Sequence, residues 1–141
     1  MKRAASITFV EPARMRHGSR IDERMLVVHV GDLGLIVSVP ARIPGIVNVC
    51  THTRNLFPDI PIYCLMGGLQ LGGVMEAIIP ETVEALRQFV IGHIISGHCT
   101  GWRALHALAN AFGDRVSQSA VGTSYSFAAD ESLLPEPQDR R

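Results

Sequence analysis

The amino-acid sequence predicts an α/β domain, and three observations carry that expectation. Apolar runs rich in Val and Ile at 25–30, 33–39 and 62–66 read as strands. Segments with apolar residues three and four apart at 45–57, 80–90 and 101–112 read as helices. The two kinds then alternate along the chain, which is the order that builds helices onto a largely parallel sheet with functional loops at strand ends. A length of 141 residues suits one domain. Residues 1–128 are expected to form it, and the tail 129–141 (ADESLLPEPQDRR) to fray.

Each element has its own reason. Residues 7–10 make a short strand, followed by an arginine-rich loop to Arg24. The strands 25–30 and 33–39 flank Gly31-Asp32, a composition suited to a tight hairpin. Both are apolar on both alternating sets, so both faces call for cover. In the helix 45–57, Ile46, Val49, Thr53 and Leu56 share a face and Pro58 stops the run. A buried strand at 62–66 ends in Gly67-Gly68, and 69–74 is a loop. Pro80 fits a first helical position, with Val83, Leu86 and Val90 on one face behind it. A short strand at 93–96 leads to Thr100, a natural N-cap for a helix over 101–112. In that helix Leu105, Leu108 and Phe112 should point inward, with Gly113 as the stop. Weaker strands at 116–121 and 124–127 close the domain.

Composition excludes several classes. Hydrophobic residues make up 47% and charged residues 18%, which is core-forming rather than disordered. Thirteen basic residues balance thirteen acidic ones, so no net field draws nucleic acid or an anionic membrane. The apolar patch near the N-terminus is too short for a signal peptide, and no run of about eighteen apolar residues exists to span a bilayer. Three cysteines, Cys50, Cys64 and Cys99, form no CxxC pair and no disulfide framework, which favours a reducing, cytoplasmic setting.

The segment IISGHCTGW carries the chemistry. An apolar strand delivers Gly97 and then His98 at its tip, and the chain turns into a helix. The glycines let a ligand approach the backbone, and the helix start makes Thr100 and Gly101 a candidate anion site. A strand-tip histidine is equally well read as a hydrogen-bonded structural residue.

The stretch 34–127 resembles the C-terminal half of a metallo-β-lactamase-superfamily group, the metal-dependent hydrolases similar to dihydropterin–ribofuranosylaminobenzene 5′-phosphate synthase. The resemblance runs through Asp22-Glu23, GLIV at Gly34, and Gly45-Ile46-Val47-Asn48. It continues in Gly67-Gly68-Leu69, Gly97-His98-Cys99-Thr100-Gly101, Phe112-Gly113-Asp114 and Val121-Gly122-Thr123. It implies one half of an αββα sandwich with a dinuclear zinc-type site between the halves. There an HxHxDH motif and three further histidines would hold metals that lower the pKa of bound water. This sequence departs from that pattern. No HxHxDH occurs in it, Ile43 stands in the turn before GIVN, and Gln70 stands in the GG-x-H turn. His98 is then the one surviving ligand position, with Gln70 a poor second, and one imidazole does not hold zinc.

Other candidates weigh less. His52 falls inside the first helix, His93 and His98 should face opposite sides if the strand runs straight, His106 lies half exposed on the last helix, His29 is a buried polar group, and His17 is in the loop. Cys99 is a sulfur ligand, a nucleophile or, the reading favoured, a small buried residue. Asp22-Glu23 is an outer support or an exposed acidic pair. Trp102 lines a pocket or packs in the core. No catalytic residue is assigned, and whether the chain is an enzyme stays open. The reading expected is a truncated or degenerate relative, not catalytic alone and binding zinc weakly if at all. The alternatives are a metal-dependent hydrolase or phosphate-substrate transferase completed by a partner chain, and a sheet-mediated interaction module. Expected partners are a second copy or a partner half-domain, and a small phosphorylated molecule.

Overall fold

The computed structural model describes residues 5–10, 25–39, 45–128 and 131–136, the first and last of these as backbone alone. Six strands form one sheet in sequence order: β1 (Ala5–Val10), β2 (Met25–Val30), β3 (Gly34–Val39), β4 (Ile62–Gly67), β5 (His93–Ser96) and β6 (Val116–Gln118). The first three pair antiparallel and the last four run parallel. The hairpin expected at Gly31-Asp32 forms, closed by the Leu33 N–H donating to the Val30 carbonyl at 2.9 Å.

Parallel neighbours need crossovers, and helices supply them. These are α1 (Ile46–Leu56), α2 (Ile79–Arg87) and α3 (Trp102–Phe112). All three lie on one face of the sheet. Their inward residues Ile46, Val49, Cys50, Val83, Leu86, Ala104 and Leu108 join Leu35, Val37, Leu65 and Ile94 of the strands in one core. Burying a side chain of this size stabilises the fold by about 1.5–3 kcal/mol. Three inward assignments differ from expectation. Leu56 is exposed, because Phe57 turns onto the core as the chain leaves α1. In α2 the Gln88 and Phe89 amides bond three residues back, to Ala85 and Leu86. This tightening breaks the 3.6-residue period, so Phe89 packs inward and Val90 is 77% exposed. In α3 the stripe is Ala104, Leu108 and Phe112, with Leu105 only half buried.

The opposite face is apolar too, as the two-sided strands required. Ile36, Cys64 and Ile95 form its buried centre, ringed by Val28, Val30, Tyr63 and Met66. This face is not bare, because Tyr125 and Phe127 of β7 (Ser124–Ala128) pack onto it, Phe127 edge-on to Tyr63 at 6.4 Å between ring centroids. The strand expected at 116–121 stops at Gln118, since the chain turns at Ala120 and β7 leaves the main sheet. The segment expected to fray contains β8 (Glu131–Glu136), which pairs antiparallel with β7. Among the described residues no helix is long and apolar enough to cross a membrane.

Candidate functional site

β4 and β5 lie side by side with Gly67 opposite Ser96, so both strands release their chains at the same edge of the sheet. In α/β sheets the carboxyl edge is where ligands bind. Here it carries the two turns that the sequence singled out, 67–72 and 97–101. They are pressed together backbone to backbone. The Gly97 N–H donates to the Gly67 carbonyl at 2.7 Å. A Cβ at Gly97 would stand 3.0 Å from Gly67 C and Gly68 N, so only glycine allows this approach. Farther along, a Cβ at Gly101 would stand 3.0 Å from the Gly72 Cα.

His98 is exposed and is the first residue of a short 3₁₀ turn, His98–Thr100, rather than the tip of the strand. The strand ends two residues earlier, at Ser96, so strand alternation does not relate His98 to His93. Thr100 is not the N-cap of α3. That place belongs to Gly101, at φ 81, with no side-chain cap. Thr100 is instead 1% exposed, and its Oγ1 accepts the Leu69 N–H at 3.2 Å, clasping one turn to the other. The physical reason is competition for the hydroxyl: a buried amide in the facing turn needs an acceptor more than the solvated helix start does.

Cys99 is half buried, and its Sγ occupies the space beside Gly68, where an added Cβ would overlap the sulfur at 2.0 Å. Gln70 sits at φ 55, an uncommon conformation for a non-glycine residue, and its amide Nε2 donates to Cys99 Sγ at 3.8 Å. Gln70 and Cys99 are therefore in contact, the amide nitrogen turned toward the sulfur. Cys50 and Cys64 are fully buried, and burial pushes both thiols up to about 12, which removes them as nucleophiles.

The remaining candidates lie elsewhere. His52 is half buried on α1 and His106 is exposed on α3. His29 is half buried on β2, opposite Leu35. His93 meets the Tyr63 ring edge-on at 5.0 Å, and burial, then the Arg115 charge, lower its pKa. Trp102 is neither core nor pocket wall: it is 71% exposed, with the Arg103 guanidinium 5.3 Å from its ring. His17, Asp22, Glu23 and Ile43 lie outside the described residues. Two features had no expectation. Ser96 Oγ is buried without a hydrogen-bond partner among the described residues, and Glu76 bridges to Arg103 at 3.1 Å. Gly72 facing Gly101 brings that pair together, and a contact between residues so far apart in the chain leaves no periodic trace in a sequence.

Among the described residues no group of three His, Cys, Asp or Glu side chains could hold a metal ion. The donor set at the turns is one imidazole, one thiol and one amide, with the amide nitrogen turned toward the thiol. Zinc takes three or four imidazole, thiolate or carboxylate ligands, so this set does not fit it.

No protein-family profile matches the chain. It is 24% identical over 107 residues to the 7,8-dihydropterin-6-methyl-4-(beta-D-ribofuranosyl)-aminobenzene-5′-phosphate synthase of Methanocaldococcus jannaschii, a match covering 76% of this chain and 36% of that protein. Its fold is similar to the crystal structure of a metal-dependent hydrolase of the beta-lactamase superfamily, with a TM-score of 0.67 and 23% identity. That match covers 80% of this chain and 50% of the solved one. The chain thus spans about a third of the curated relative and half of the solved one. The chain therefore has an α/β fold similar to half of that beta-lactamase-superfamily hydrolase, and its sequence is similar to part of the dihydropterin-linked phosphate synthase.

Proposed function

We propose that this chain is a degenerate relative of the metallo-β-lactamase superfamily that does not catalyse hydrolysis by itself and holds zinc weakly. The observation that carries this reading is the engagement of Gln70 with Cys99, packed against Gly68. Where a ligand set would have to open toward a cation, these side chains close on one another, and His98 is left as a single exposed imidazole. Freeing the thiol for a metal would break its contact with the Gln70 amide and still yield only two good ligands. The test is metal analysis of the purified full chain after incubation with zinc and dialysis. Sub-stoichiometric zinc, unchanged by His98→Ala, supports the reading. One tightly held zinc per chain that His98→Ala removes would sink it.

A second reading keeps the chemistry. In company with a chain that brings HxHxDH, His98 would be one ligand of a centre acting on a phosphorylated substrate, the class named for the curated relative. It is favoured by the exposure of His98 at the carboxyl edge of the parallel strands. Thr100 and Gly101 would then shape the backbone beneath the substrate rather than touch phosphate through the Thr100 hydroxyl, which is buried. Zinc-dependent hydrolysis of an aryl phosphodiester that appears only on mixing the two chains and disappears with His98→Ala would establish it.

A further inference from the structure

The two faces of the sheet are covered by different means. On one, three helices, each held at both ends by strands of the sheet, supply the inward side chains of the larger core. On the other, the cover is β7, which pairs with β8 in a separate two-stranded sheet. Before β7 the chain is tied to the main sheet by the Ser119 N–H, which donates to the Ser96 carbonyl at 2.9 Å. Beyond it, among the described residues, no backbone hydrogen bond joins 120–128 to the six strands. The connection closes only on itself, the Thr123 N–H donating to the Ala120 carbonyl at 3.1 Å. Ala120 and Val121 are exposed, and Gly122, at φ 89, has open space where a side chain would stand. Two aromatic rings hold β7 down. Tyr125 and Phe127 alternate with the exposed Ser124, Ser126 and Ala128, so one side of the strand meets the face and the other meets solvent. Phe127 stands edge-on to Tyr63, and Tyr125 lies close enough to Cys64 for that thiol to add to burial in raising its phenol's pKa. Both rings are only half buried. An isolated two-stranded hairpin is marginal in water, so this one depends on those contacts for its order. Segments with few buried apolar contacts open ahead of the whole molecule.

We propose that the β7–β8 hairpin is a strap that opens from the sheet as a unit, about a hinge at 120–123, while the helical face stays folded. Closed, the strap occupies the face that carries Ile36, Cys64 and Ile95. Open, it bares that face and the Cys64 thiol, so anything that is to reach this side of the sheet must first displace it. The chain carries its own reporters of the two events. Cys64 lies beneath the strap and Cys50 lies in the core under the helices, and both are 0% exposed. Opening of the strap frees Cys64 alone, whereas unfolding of the whole chain frees both.

The test is slow labelling of the native full chain with iodoacetamide over hours at low urea, with peptide mass mapping to follow each cysteine separately. When labelling is slower than reclosing, each rate follows the population in which that thiol is open. Cys64 should react at least about tenfold faster than Cys50. Its rate should depend weakly on urea, because the strap exposes little surface, while that of Cys50 should depend steeply. Replacing both rings, Tyr125→Ser with Phe127→Ser, should speed Cys64 about thirtyfold or more and leave Cys50 at least about tenfold slower than Cys64. Circular dichroism checks that the helices remain. Should they be lost, Phe127→Leu, which keeps an apolar contact, takes the place of the double variant, with a rise of about threefold expected for Cys64. Equal rates for the two thiols in wild type, with equal urea dependence, would overturn the proposal, since the face would then open only with the whole chain. A Cys64 rate unmoved by substitution of the rings would overturn it as well, since the hairpin would not be what covers that thiol.

Discussion

Gly68→Ala probes the contact on which the reading of the two turns depends. The added methyl would meet Cys99 Sγ at 2.0 Å but Cys99 Cβ at 3.7 Å, an ordinary contact. The sulfur must therefore leave its position, giving up the Gln70 amide and taking a poorer rotamer or crowding its neighbours. Displacing a side chain in a packed region costs about 1–3 kcal/mol. For a chain of this size each kcal/mol lowers the melting temperature by about 3 °C, so the single variant should melt about 3–10 °C lower. In a Cys99→Ala background the obstacle is gone and only the 3.7 Å contact remains. There Gly68→Ala should cost under about 0.5 kcal/mol, leaving a coupling of about 1–3 kcal/mol between the positions. Urea denaturation of the four proteins in the cycle measures this directly. An equal cost for Gly68→Ala in both backgrounds would mean that Cys99 does not occupy that space, and the account of a closed site would fail with it.

Other consequences can be measured on the same material. Val90 is exposed at φ 51, a conformation that costs a β-branched residue about 1–2 kcal/mol, so Val90→Gly should raise stability by up to about 1 kcal/mol after glycine's extra chain entropy. A lower midpoint in urea for that variant would contradict the assignment of strain. Cys50 and Cys64 are buried with thiols pushed up to about 12, while Cys99 is partly open. An aromatic disulfide reagent should therefore titrate one thiol of three in the native chain and all three in denaturant. The folded chain holds His93 neutral to a lower pH than the unfolded chain does, so it binds fewer protons in the folded state. Stability should fall as pH drops below about 6.5, the ordinary histidine value, and His93→Gln should flatten that part of the profile. An identical pH profile in the variant would remove His93 as the cause.

What could be read without coordinates was whatever leaves a periodic mark. The two-sided apolar runs at β2, β3 and β4 required cover on both faces, and the structure provides helices on one and the β7 aromatics on the other. Pro80 and Gly113 marked helix ends by backbone chemistry: Gly113 caps α3 at φ 61, and Pro80 stands in the first turn of α2, one residue after its start at Ile79. The loops Gly67-Gly68 and Gly97–Gly101 could be named as functional, because clustered glycines at strand ends signal close approach. Which backbone each glycine approaches was invisible, and the structure brings the two turns against each other.

Chain order and residue type alone determined the α/β class and the parallel strands, because apolar runs alternating with helical periods call for helices packed on a parallel sheet. Tertiary contact decided the rest. Thr100 looked like a cap until the Leu69 amide, 31 residues away, took its oxygen, and Trp102 could have been core or pocket wall until the packing left it outside. Such choices are made by competition between partners distant in sequence, and only the folded chain brings the competitors together.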